Sequence, residues 1–288
     1  MPTQPRMIDR GRKPRLLAPP HACETHSHIY GPRERYPHHP GRTPDLLADL
    51  PTFLAMLERI GLERAVIVQP SLYAFDNRAT LDAVAAMGLH RARGVAVCRP
   101  TVTDAELRDL DARGIRGLRF FLLVDDVGLD VIEPMARRSA DLGWHVVVQG
   151  HGDWLVEAAP VLHRLPCPVV IDHLGRTPAA AGTDHAGFRA LLGLLETGNC
   201  WVKISAPYIT SDVGPPTYAD CGPRIQALVE TRPDRLLWAA NWPHPNSPVD
   251  AKPDEADCLD LLLDWVPDET TRRMILADNP ATLYGFEG

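Results

Sequence analysis

A chain of 288 residues with 45% apolar and 23% charged side chains is long enough for one large α/β domain or two small ones, and it can bury a sizeable core. Its formal charge of −7 disfavours nucleic acid as a partner, and no apolar run reaches the roughly eighteen residues needed to cross a membrane. The six cysteines, Cys23, Cys98, Cys167, Cys200, Cys221 and Cys258, form no C-x-x-C pair, which argues against a zinc knuckle or a disulfide framework and fits a reducing cytoplasm.

Residues 1–20 carry five basic side chains and several prolines without an apolar core segment, so they read as an N-terminal arm and not as a signal peptide. From residue 21 to 288 short apolar runs alternate with helical patterns, the signature of repeated βα units and a parallel sheet. Strands are expected at Ala22–Tyr30, Arg64–Gln69, Gly94–Arg99, Gly117–Leu122, His145–Gln149, Val169–His173, Cys200–Ser205 and Arg235–Asn241. Apolar residues at three- and four-residue spacing predict helices at Thr52–Ile60, Ala79–Met87, Asp104–Arg113, Leu129–Leu142, Phe188–Glu196 and Arg224–Glu230. Gly61, Gly88, Gly114, Gly143 and Gly198 follow five of these segments, as helix C-caps should. Such alternation over about 250 residues predicts a single-domain (β/α)8 TIM barrel, with an open doubly wound sheet as the alternative. Two long irregular loops, Gly31–Pro44 and Ala206–Gly222, are expected to shape a site.

The ends of the expected strands carry the chemistry. Pro243 and Pro245 stop the last strand, which presents Asn241 and His244 at the face where barrel enzymes keep their active sites. The other strands end on His26 and His28, Gln69 with Ser71, Arg99, Arg119, Gln149, His173 with Arg176, and Ser205. Taken singly, Asn241 is a turn cap and each histidine a core residue; a ring of imidazoles, guanidinium groups and amides on one face reads as a ligand site. His26 and His28 are two apart on a strand and project to the same side, where they can meet one metal or one substrate. Plainer readings cover the rest: His38-His39 as a solvated pair, Gly214-Pro215-Pro216 as a loop brace, and Trp201, Trp238 and Trp242 as core or wall aromatics, with Trp242 placed to touch ligand. No P-loop, dinucleotide fingerprint or serine nucleophile elbow is present.

Thr25-His26-Ser27-His28, Arg64-Ala-Val-Ile-Val-Gln-Pro70 with Asp76-Asn77, Gly117-Leu-Arg-Phe120, Val170-Ile-Asp-His-Leu-Gly-Arg176, Trp201-Val-Lys-Ile-Ser205, Asn241-Trp-Pro-His-Pro245 and Asn279-Pro-Ala-Thr-Leu-Tyr-Gly-Phe286 together resemble the amidohydrolase-related family. The likeness runs from about residue 20 to the C-terminus, in the branch of 2-pyrone-4,6-dicarboxylate lactonases and D-galactarolactone isomerases. It implies a distorted TIM barrel and attack on a ring ester. It also implies catalysis without a required metal.

By that resemblance His26, His28 and His173 stabilise the lactone oxyanion, His244 stands near the leaving oxygen, and Arg119 grips a substrate carboxylate. Ser71, Arg99, Gln149, Arg176, Ser205 and Trp242 complete the expected binding surface. The hydrolytic members carry Asp where this chain has Asn241, and an amide has no usable basicity near neutral pH. The isomerase branch carries Asn there. The arginines that hold a doubly anionic pyrone are replaced by Asp125 and Ile209, so a substrate with one carboxylate, held by Arg119, Arg99 or Arg176, is expected. No cofactor is expected, because Arg119, Gln149 and Asn241 stand where metal-dependent barrels place ligands; a zinc ion on His26, His28 and His173 is the alternative. The expected partner is a small anionic, hydroxylated lactone, with neither nucleic acid nor membrane. Ring isomerisation is favoured over lactone hydrolysis, over a hydrolase inactivated by an Asp-to-Asn change, and over a binding protein without turnover.

Overall fold

The barrel strands are short apolar runs whose residues are covered on both faces, as parallel strands between helices must be. The structure, a computed structural model, describes residues 4–9, 11–42, 46–121, 129–248 and 251–287. Its strands are β1 (Cys23–Ser27), β2 (Arg64–Val68), β3 (Ala92–Ala96), β4 (Ile115–Phe121), β5 (His145–Gln149), β6 (Val169–Ile171), β7 (Cys200–Ser205) and β8 (Leu236–Ala239). They form one parallel sheet in the order β1 to β8. The helices between them are α1 (Leu50–Ile60), α2 (Arg78–Met87), α3 (Asp104–Ala112), α4 (Leu129–Asp141), α5 (Trp154–Leu162), α6 (Ala186–Glu196) and α7 (Gly222–Thr231), with α8 (Glu255–Trp265) after the last strand. This is the single-domain (β/α)8 TIM barrel that the alternation predicts.

Of these eight helices, α5 and α8 escape the periodicity reading, as do two short helices near the C-terminus, Glu269–Arg273 and Asn279–Tyr284. Helix α5 contains Pro160, and α8 buries residues on every side, including Glu255, Leu259, Asp260, Leu262 and Trp265, so it has no polar stripe to mark a period. All five expected cap glycines have positive φ. Gly61, at φ 76°, ends α1 by donating its N–H to Glu58 O. Strand β3 begins two residues before its expected start, and Gly94 sits inside it because a Cβ there would lie 2.5 Å from Ile115 Cδ1. Strands β6 and β8 stop short of His173 and Asn241, which instead adopt positive φ of 53° and 68°. The expected end of β4, Leu122, lies outside the described residues, as do Thr43, Pro44 and Asp125.

The barrel closes between β8 and β1 through side chains and one backbone bond. Thr25 Oγ1 donates to Trp238 O at 2.7 Å, and His28 N donates to Trp242 O at 2.8 Å. Between them the buried Glu24 carboxyl group accepts from His26 N at 2.8 Å and Ala240 N at 2.7 Å. At the opposite end the motif Asn279–Phe286 seals the barrel floor. Asn279 Nδ2 donates to Leu236 O, Arg93 donates to Tyr284 O and Gly285 O, and Arg64 and Arg93 lie over the Phe286 ring. The N-terminal segment runs along α1 and α8, where Asp260 takes Arg12 and the backbone N–H groups of Arg15 and Leu16. All six cysteines are free, and no described helix is long and apolar enough to cross a membrane.

Burial raises the Glu24 carboxyl to about 8, against two backbone N–H donors that pull it down. The folded state therefore keeps a proton that the unfolded chain has already released above about 4.5. Stability is thus lost as pH rises from about 4.5 to 8, at about 1.4 kcal/mol per pH unit. Urea unfolding across this window should show that slope in the wild type relative to Glu24→Gln. Parallel curves for the two proteins would mean that Glu24 is ionised in the fold.

Candidate active site

A cavity of about 430 Å³ opens at the C-terminal face of the barrel. Of the residues expected there from sequence, His28, Ser71, Arg119, Gln149, His173, Arg176 and Asn241 line it. The remaining lining includes Tyr30, Phe121, Tyr208 and Ile209; the last two come from the loop after β7. Among the described lining residues there is no carboxylate.

The floor is built around Asp172, which follows β6 and is 1% exposed. Its Oδ1 lies 3.2 Å from both His26 Nδ1 and Lys203 Nζ, and its Oδ2 lies 3.2 Å from Arg119 Nη2. Burial alone pushes this carboxyl up, but the Lys203 and Arg119 charges hold it well below the usual carboxylate range. Lys203 Nζ also reaches His26 Nδ1 at 2.9 Å. Nδ1 thus faces a donor at 2.9 Å and the Asp172 carboxylate at 3.2 Å. The nearer ammonium can only donate, so Nδ1 is the acceptor, Lys203 bridges it to Asp172 Oδ1, and the proton of a neutral His26 sits on Nε2. That Nε2 is buried without a protein partner, and the His26 ring lies 4.9 Å from those of both His28 and His173. His26 itself is fully buried and does not line the cavity, so this donor sits behind the two lining imidazoles.

His28 Nδ1 lies 2.8 Å from Val68 O, so it must carry the proton, which leaves Nε2 bare. His173 Nδ1 meets Ser205 Oγ at 2.8 Å, and this places Ser205 behind His173. Burial drives His26 well below its ordinary value and takes both His28 and His173 to about 3, with the Arg119 charge adding to the effect at His28. All three imidazoles are neutral over the physiological range. Net positive charge comes instead from Arg119 and Lys203 against the one carboxylate of Asp172.

The expected carboxylate grips differ in how far they are committed. Arg119 is ion-paired to Asp172 and donates to Gln69 O and Gln149 Oε1. Arg176 lines the same cavity from a backbone at φ 49° and makes no hydrogen bond or ion pair to another described residue. Arg99 stands over the Phe75 ring at 4.5 Å and lines other cavities, one of them with His38 and His39. Trp242 is fully buried, 5.0 Å from the Phe53 ring, and does not line the cavity. His244 is also fully buried and stands behind Tyr208.

Among the described residues one group could bring metal-ligand atoms together, His26, Asp172 and His173, within 4.8 Å. It fits a divalent cation poorly, because the ammonium of Lys203 lies on His26 Nδ1 and on Asp172 Oδ1, while Arg119 takes Oδ2. The fixed cations occupy the carboxylate a metal would need. Sequence reading missed Asp172, Lys203 and Tyr208. A lysine inside a fully covered strand is itself a signal, since such a group is buried only with a partner.

Removing the Asp172 charge leaves two buried cations facing each other. Asp172→Asn is expected to cost about 3–5 kcal/mol of unfolding free energy, read by urea denaturation, whereas Ser205→Ala should stay within about 1 kcal/mol.

The profile of the amidohydrolase family matches residues 23–286 of the chain. A 2-pyrone-4,6-dicarboxylate hydrolase of Comamonas testosteroni is 36% identical over 285 residues, covering 94% of this chain and 92% of that protein. A D-galactarolactone isomerase of Agrobacterium fabrum is 32% identical over 280 residues, covering 95% and 94%. An apo crystal structure from Agrobacterium tumefaciens superposes with a TM-score of 0.86 at 31% identity, covering 95% of this chain and 99% of its own. With its barrel, its strand-end histidines and this near-complete match, the chain belongs to the amidohydrolase family and is an enzyme of that superfamily.

Proposed function

We propose that this protein converts a small, carboxylated and hydroxylated lactone into its ring isomer by intramolecular acyl transfer. The observation that carries this reading is the charge of the cavity: Arg119 and Arg176 line it, and no carboxylate does among the described residues. An anionic substrate is favoured, and attacking water has no carboxylate to take its proton. A hydroxyl tethered to the substrate starts at high effective concentration and needs less help. Arg176 holds the substrate carboxylate, His26 Nε2–H donates to the oxyanion, and Asn241 Oδ1, which is buried without a protein partner, accepts from a substrate hydroxyl. The higher identity to a protein named as a hydrolase supports hydrolysis as the second reading.

A six-membered 1,5-aldarolactone followed by NMR in 18-O water separates the two. The 1,4-lactone should appear before open acid and without label; label in the carboxyl group from the first turnover means hydrolysis, and no change across a lactone panel overturns both readings. Asn241→Asp should raise the hydrolytic rate by about 10²- to 10⁴-fold, because it returns a base to the cavity.

We propose further that the reaction needs no metal, on the ground that Lys203 and Arg119 already supply the positive charge at His26 and Asp172. Exhaustive dialysis against a chelator should leave the rate unchanged. Loss of activity restored by one equivalent of zinc would overturn this.

A further inference from the structure

The cavity offers donors for an oxyanion, but it lacks an evident acceptor for the proton of the attacking hydroxyl. His28 and His173, both near 3, are poor acceptors at neutral pH. Asn241 cannot take a proton at all. Behind Asn241, however, a chain of hydrogen bonds leads out of the cavity, and its direction can be read from its far end. Arg59 Nη2 lies 2.6 Å from Glu255 Oε2. Burial pushes the Glu255 carboxyl up, but the hydrogen bond and charge interaction with His244, a backbone hydrogen bond and the Arg59 charge outweigh it, and the group stays below its ordinary value. Its Oε1 meets His244 Nε2 at 3.1 Å. A carboxylate only accepts, so Nε2 carries the proton, and a neutral His244 turns a bare Nδ1 toward Tyr208 Oη at 3.3 Å. Tyr208 must then donate to His244, and its oxygen accepts from Asn241 Nδ2 at 2.8 Å. The amide is thereby oriented with Oδ1 left over, and Tyr208 lines the cavity beside it.

We propose that Tyr208, backed by His244 and Glu255, is a proton relay that takes the proton of the attacking hydroxyl and returns it to the departing ring oxygen. The relay rests on the ring-exchange reading for the identity of that hydroxyl. As the hydroxyl oxygen bonds to the lactone carbonyl carbon, the C=O π pair moves onto the carbonyl oxygen. The hydroxyl proton passes to Tyr208 Oη while Tyr208's own proton passes to His244 Nδ1. His244 is then an imidazolium between Tyr208 and the Glu255 carboxylate. When the oxyanion collapses and re-forms C=O, the bond to the ring oxygen breaks, Tyr208 gives that oxygen a proton, and His244 gives Tyr208 its proton back. No proton is gained or lost over the cycle. Burial holds the Tyr208 phenol well above its ordinary value, so a free tyrosinate is disfavoured and the two transfers are coupled. Tyr208 is the catalytic residue of the relay; His244 and Glu255 are positioning residues that act through it.

Three features set this chain apart from a brace. His244 is held at φ 55°, and Lys252 Nζ donates to its carbonyl at 2.8 Å. Arg59 binds Asp9 and Asp254 as well as Glu255, so the carboxylate is fixed from outside the cavity. Tyr208 is the point where the chain reaches the cavity.

Tyr208→Phe keeps the ring against His244, whose centroids are 5.5 Å apart, and removes only the oxygen. On whichever lactone the wild type turns over, kcat should fall about 10²- to 10³-fold with KM within about threefold. The proton inventory in mixed light and heavy water should change from bowed to linear. Glu255→Gln should lower kcat in the same sense, since an amide can donate as well as accept and no longer fixes the His244 tautomer. Nitrogen NMR of the wild type should find Nδ1 of neutral His244 bare and Nε2 protonated, independent of any activity. A Tyr208→Phe protein with kcat within about twofold of wild type, or a protonated Nδ1 on the neutral ring, overturns the relay. If the wild type releases open acid instead of a ring isomer, the ring-exchange reading fails, while the same loss in Tyr208→Phe sustains the relay with water as nucleophile. Absence of turnover on every lactone overturns both.

Discussion

The buried carboxylate of Asp172 is the point on which the site depends. Side chains from three other strands converge on it, His26 from β1, Arg119 from β4 and Lys203 from β7. Charges this deep are tolerated only when each is paired, so the strand ends must hold a common register or leave a cation stranded. Asp172 thus ties the C-terminal end of the barrel together. The histidines above it stay neutral through burial first, with the Arg119 charge added, and against the pull of the Asp172 carboxylate.

A second constraint is the seam. Parallel barrels need no edge, yet here β8 and β1 meet through Thr25 and Glu24 side chains and one backbone bond beyond the strands. Glu24 holds the N–H of His26 and that of Ala240, so barrel closure and the spacing between His26 and Asn241 are one contact. Beyond the strands the backbone is strained. His173, Leu174, Arg176, Ala206, Asn241 and His244 all have positive φ without being glycine, at a cost of about 1–3 kcal/mol each. The rigid strands below over-determine those conformations, which bring His173, Arg176 and Asn241 to the cavity.

The barrel was legible in the sequence because its strands are unbroken apolar runs, and because glycine caps separate them from amphipathic helices. The strand ends were less so. Asn and His enter the left-handed region more readily than most residues, but that weak preference does not override the apolar runs before them, so the expected strands run on to Asn241 and His173. Trp242 stands next to Asn241, but the turn carries it against Phe53, and Arg99 leaves its strand toward Phe75. Chain adjacency did not predict direction. Lys203 and Asp172 stood in plain view inside apolar segments, where a charge requires a partner. Tyr208 gave no such sign, since only the folded loop after β7 brings it to Asn241 and His244.

The charge of the cavity bears on how a reacted molecule leaves it. Opening a lactone with water creates one more carboxylate than the ring carried. Two guanidinium groups with no lining acid among the described residues would retain that dianion more tightly than the lactone, and release would slow each turnover. Exchanging one ring for another leaves the number of charges unchanged. Under the proposed ring exchange Arg119 and Arg176 would hold both rings with nearly equal strength, and the field that draws an anion in would not detain its isomer on the way out.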